Sequence, residues 1–137
     1  MSSRLLLRIA AVLAFITCLG HTIGTFMEVP AEQTAMHETI AQMKRTLVPM
    51  PVGPARSYMQ ILDGNNLCTS LLLALCGALL FIVSSAPTSQ ATRQITLLTA
   101  LALGCFSLLS ALYFFPVPTA FTGLASLLSF VAMKRQA

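Results

Sequence analysis

Four stretches of this chain are long and apolar enough to cross a bilayer, and no other feature of the sequence constrains its fold as strongly. A membrane-crossing helix needs about 20 predominantly apolar residues to traverse a hydrocarbon core about 30 Å thick. The spans are expected at 5–26, 67–84, 95–115 and 119–133. None alternates strictly between apolar and polar residues, and a run such as Leu71-Leu72-Leu73-Ala74-Leu75 is apolar on every side, which argues against a barrel and for helices. The composition agrees, with 56 % hydrophobic and only 9 % charged residues. Soluble domains carry about 25 % charged residues, and disordered chains are poorer still in apolar ones. The expectation is one all-α domain over residues 1–137, an integral membrane four-helix bundle with a short amphipathic helix in its first, outer loop.

Charge orients the bundle, because Lys and Arg are retained on the cytoplasmic side. With the N-terminus inside, Arg4, Arg8, Arg93, Lys134 and Arg135 give the inner side +5. Lys44, Arg45 and Arg56 with Glu28, Glu32, Glu38 and Asp63 give the outer side −1. Both termini are thus expected in the cytoplasm. The net charge of +4 is read as a topology signal, and no nucleic-acid partner is expected, since the bases flank spans without interleaved aromatics. Arg4 before an apolar run resembles a signal peptide, but the run is long and lacks a clean small-residue cleavage site, so a retained signal anchor is expected.

The one sizeable loop begins near Met27. After Pro30, whose fixed φ suits a first helical turn, residues 31–48 place Met36, Ile40, Met43 and Leu47 on one face, opposite Glu38, Gln42 and Arg45. Pro49, Pro51, Gly53 and Pro54 then end the helix. Ser57 is a plausible N-cap for a helix running through the second span to Ser84. Pro116-Val117-Pro118 is expected to be the whole link between the last two spans, making them antiparallel neighbours.

Helices associate in lipid through small residues and modest hydrogen bonds rather than through the hydrophobic effect. Each span has such a stripe: Ala10, Ala14, Thr17, Gly20, His21 and Gly24; then Asp63, Asn66, Ser70, Ala74 and Gly77; then Thr96, Ala100, Ser107, Ser110 and Ala111; then Thr122, Ser126, Ser129 and Met133. The Gly20-x-x-x-Gly24 step is expected at a helix contact.

Candidate chemistry is sparse. His21, the only intramembrane histidine, is a candidate ligand-binding residue, or a packing residue hydrogen-bonded to Asn66, Asp63 or a hydroxyl. Asp63, Asn66, Arg56 and Tyr58 belong at a similar depth, either as an ion or polar-headgroup site with His21 or as an Asp63–Arg56 ion pair that fixes the loop. Metal or haem ligation has only two imidazole candidates, His21 and His37, against the three or four ligands a metal site wants. Cys18, Cys68, Cys76 and Cys105 form no C-x-x-C pair and read as apolar packing. Met36, Met43 and Met50 suggest Cu(I) less well than they suggest a helix face.

Three segments in order, Arg8-Ile9-Ala10-Ala11 leading to Gly20-His21-Thr22-Ile23-Gly24, Arg56-Ser57-Tyr58 before Asp63-Gly64, and Phe114-Phe115-Pro116-Val117-Pro118, resemble a family of small bacterial four-helix integral membrane proteins without an assigned activity. A looser likeness to DoxX-type proteins is architectural. The resemblance implies the four-helix fold and no chemistry. The functional expectation is a non-enzymatic membrane protein, an accessory subunit or a binder of a small ligand or lipid. The alternatives are a redox or haem- or metal-dependent protein using His21, and a small-molecule transporter. No cofactor is assigned. The expected partners are the bilayer and either further copies of the chain or a larger membrane complex.

Overall fold

The structure, a computed structural model, describes residues 2–136. Five helices and one two-stranded hairpin follow in the order α1 (Ser3–Phe26), α2 (Thr34–Arg45), β1 (Leu47–Val48), β2 (Arg56–Ser57), α3 (Tyr58–Ser85), α4 (Gln90–Tyr113) and α5 (Pro116–Lys134). Helices α1, α3, α4 and α5 are each long and apolar enough to span a membrane. At 1.5 Å per residue the shortest, α5, is about 28 Å long and matches the hydrocarbon thickness. The chain is a multi-pass membrane protein of all-α architecture.

Local sequence explains where the helices start. Ser2 caps α1 by accepting from the Leu5 N–H. Ser57 and Gln60 form a reciprocal capping box on α3, and Ser89 with Thr92 forms another on α4. Each box satisfies backbone N–H groups that a helix start otherwise leaves without a partner. The α3 cap lies at the expected Ser57. The boxes also carry α3 and α4 beyond their apolar spans, so α4 begins at Gln90 rather than at 95.

Two expectations about connections are corrected. The loop helix is confined to Thr34–Arg45 instead of 31–48, because Leu47 and Val48 pair in antiparallel register with Ser57 and Arg56. The intervening turn contains Gly53 at φ +91°, a conformation that favours glycine. Pro30 therefore precedes α2 without opening it. Pro116 lies in the first turn of α5, where its missing N–H is harmless, so Phe114 and Phe115 alone link α4 to α5.

The four long helices form a ring in which α1 packs on α3 and α5, and α4 packs on α5 and, less extensively, on α3. An apolar core fills the half that holds the first residues of α1: Leu6, Leu7, Ala10, Ala11 and Ala14 meet Leu73, Leu80, Val83, Leu103, Ala125 and Ala132. Leu, Ile, Val and Phe side chains such as Leu71, Leu98 and Leu108 cover the outside.

Two seams are set by small residues. Between α4 and α5, Ser126 donates to the Ala100 carbonyl at 2.7 Å and Ser107 donates to the Thr119 carbonyl at 2.8 Å, one bond in each direction. A β-carbon on Gly104 would lie 3.1 Å from Ser126 Oγ, and one on Gly123 would lie 2.9 Å from Ser107 Oγ, so both glycines are needed for this approach. Between α1 and α3, Thr22 donates to Ser70 Oγ and the Cys18 thiol donates to the Ser70 carbonyl. Gly77 there lies against the Phe15 ring. The Gly20-x-x-x-Gly24 step is not a helix contact: a β-carbon at either glycine meets nothing within 4 Å.

Candidate functional site

The half of the bundle opposite the apolar core is not closed by packing. The last turns of α1 and α4 and the first turns of α5 surround a cavity of about 340 Å³, with Asn66 of α3 at its edge. This volume lies at the lower end of the about 300–1,000 Å³ of small-molecule sites. Gly20 and Gly24 make room on the α1 side, which accounts for their lack of helix neighbours. Phe106, Phe114, Phe115 and Phe121 supply most of the remaining wall.

Five polar side chains line this space without a charge among them: Thr17 and Thr25, whose hydroxyls return to the Leu13 and His21 carbonyls, and His21, Asn66 and Ser110. His21 lies five residues from the end of α1, about 7.5 Å along the axis. Its imidazole meets the Phe114 ring edge to face at a centroid distance of 6.5 Å. Its Nε2 is buried and has no hydrogen-bond partner.

Ser110 is the more informative residue. A buried serine or threonine in an apolar helix ordinarily returns its hydroxyl to the carbonyl one turn back. Thr17, Thr96, Thr99, Thr122 and Ser129 all do so. Ser84 donates to the Phe81 carbonyl three residues back, and Ser57, Ser70 and Ser126 have other partners. Of the ten buried polar residues Ser110 alone, 1 % exposed, has an unpartnered side chain. An unsatisfied buried hydroxyl costs about 1–3 kcal/mol. His21 and Ser110 thus border one mainly apolar cavity, each with a buried polar atom that has no partner.

The other candidates are elsewhere. Asp63, half-buried one turn before Asn66, does not line the cavity. Among the described residues it makes no ion pair with Arg56, which is exposed on β2 opposite Val48. Tyr58 is exposed beside α2, in a groove shared with Thr39, Gln42, Met43 and Thr46. His37 contacts the Pro30 carbonyl at 3.2 Å within the loop. Among the described residues no group of three metal-ligating side chains assembles. Of the residues singled out in the sequence, His21 and Asn66 come together and Asp63, Arg56, Tyr58 and His37 do not join them. The residues not singled out as a site are Ser110 and the phenylalanines, whose signal is the spacing Phe106, Ser110, Phe114, one hydroxyl between two aromatics on a single helical face. No protein family, curated protein or solved structure matches the chain.

Proposed function

We propose that the protein is a non-enzymatic membrane protein that binds one small, uncharged, mainly apolar molecule in the cavity between α1, α4 and α5. The observation that carries this reading is that two residues lining one aromatic-walled space, His21 and Ser110, each hold a buried polar atom, Nε2 and Oγ, without a hydrogen-bond partner. Such a space, apolar with a few convergent polar groups, suits a ligand whose orientation is fixed by those groups. Catalysis is the weaker reading because, among the described residues, His21 and Ser110 are not hydrogen-bonded to each other and no hydrogen bond to a third group orients the imidazole. An activated serine needs both.

The test is to extract the wild-type protein and Gly20→Leu with their native lipids and compare them by native mass spectrometry. A β-carbon at position 20 meets nothing within 4 Å on the cavity wall, so a leucine there is expected to fill the cavity. The expected result is one bound small molecule on the wild type and none on the variant, with the melting temperature of the variant unreduced. A wild type carrying nothing, or the same molecule on both, overturns the proposal.

We further propose a bacterial inner membrane location with both termini cytoplasmic and α2 outside, the orientation that the charge division favours. In a cysteine-free background, cysteine at Glu32 is then expected to react with an impermeant maleimide in intact spheroplasts, and cysteine at Gln90 only after lysis. The opposite pattern reverses the orientation.

A further inference from the structure

Building on the reading that this cavity takes an uncharged small molecule, we propose that its ligand is a phenol, an aromatic ring whose hydroxyl is held between Ser110 and His21. The polar partners restrict the class first. His21, Ser110 and Asn66 supply no fixed charge, and no Asp, Glu, Lys or Arg lines the cavity. A carboxylate, phosphate or ammonium would be desolvated there without a counter-charge, at a large cost.

Among neutral groups a hydroxyl fits these partners best. Ser110 Oγ both donates and accepts, and a neutral imidazole nitrogen does one or the other according to tautomer. A ligand hydroxyl that gives one hydrogen bond and accepts another satisfies Ser110 Oγ together with His21 Nε2 in either tautomer. An ether or ketone only accepts, so it leaves Nε2 orphaned in one of the two tautomers. Ser110 lies one turn before Phe114, whose ring contacts His21.

The walls select the body that carries the hydroxyl. Phe106, Phe114, Phe115 and Phe121 border the space, and aromatic pairs gain from edge-to-face and offset contacts beyond the area they bury. A volume of about 340 Å³ exceeds the about 150 Å³ that takes a single benzene ring, so it holds a ring together with a substituent.

The matched probes are 4-propylphenol, 4-propylanisole and propylbenzene, titrated calorimetrically into the protein in lipid nanodiscs with empty nanodiscs as blank. The phenol is expected to bind saturably and at least tenfold more tightly than the anisole or the hydrocarbon. Ser110→Ala is expected to erase most of that preference while leaving propylbenzene binding intact. His21→Phe, which keeps an aromatic against Phe114, provides the second variant with the same expected loss. Equal affinities for the three probes overturn the phenol assignment and leave the apolar-ligand reading standing. No saturable binding of any probe overturns both. A fourth probe, 4-dodecylphenol, separates two sources of the ring: tighter binding than 4-propylphenol identifies a lipid-borne phenol, and equal binding a free one.

Discussion

Gly123→Leu is expected to break the α4–α5 seam, whereas Gly20→Leu and Gly24→Leu leave the bundle as stable as before. A β-carbon at Gly123 already lies 2.9 Å from Ser107 Oγ, so the hydroxyl must leave the Thr119 carbonyl before any further carbon is accommodated. Overpacking costs about 1–3 kcal/mol, and an interhelical hydrogen bond in a membrane protein adds about 0.6 kcal/mol on average. Gly77→Leu ranks between the two classes. Its neighbour is the far end of the Phe15 ring, and Phe15 is exposed enough to swing outward. Gly20 and Gly24 have open space, and replacing a helical glycine removes a propensity penalty of about 0.8–1.0 kcal/mol, so the melting temperature holds or rises. Thermal unfolding in one detergent ranks the four variants. A Gly20→Leu protein as unstable as Gly123→Leu would place the first glycine at a helix contact and contradict the cavity.

Much of this architecture was legible in the chain. The spans, the Ser57 cap and the inward stripes are written in local composition and spacing, because apolar length and capping chemistry act within one helix. Ala10, Ala14, Thr17, Ser70, Gly77, Thr96, Ala100, Ser110, Thr122, Ser126 and Ser129 are buried as the stripes require, whereas Gly20, Gly24 and Ala111 are exposed. What local pattern does not encode is which small residues meet a neighbour. Gly20 and Gly123 look alike in sequence, and only the placement of the facing helix separates a cavity wall from a close contact. The same holds for polar residues. Asp63 and Asn66 lie one turn apart, yet only Asn66 reaches the cavity, since three residues rotate a helix by about 300°. Leu47 and Val48 continued the helical face of α2 in the sequence, but pairing with Arg56 and Ser57 across the Gly53 turn prevailed. Ser110 was visible as a small residue. Its importance follows from a missing partner, which no sequence position announces by itself.

The most direct measurement of the central claim, that this bundle keeps polar groups free for a ligand, is the stability of Ser110→Ala against Ser126→Ala in ligand-stripped protein. Both remove one buried hydroxyl, the first from α4 and the second from α5. Ser126 Oγ is satisfied by the Ala100 carbonyl, so its loss removes a bond and destabilises the protein by about 0.6 kcal/mol. Ser110 Oγ has no partner, so its loss relieves a desolvation penalty of about 1–3 kcal/mol and raises the unfolding midpoint. The account predicts opposite signs for the two variants. A Ser110→Ala protein destabilised to the same extent as Ser126→Ala would show that the hydroxyl is already satisfied within the fold, and would contradict the reading of this cavity as a ligand site.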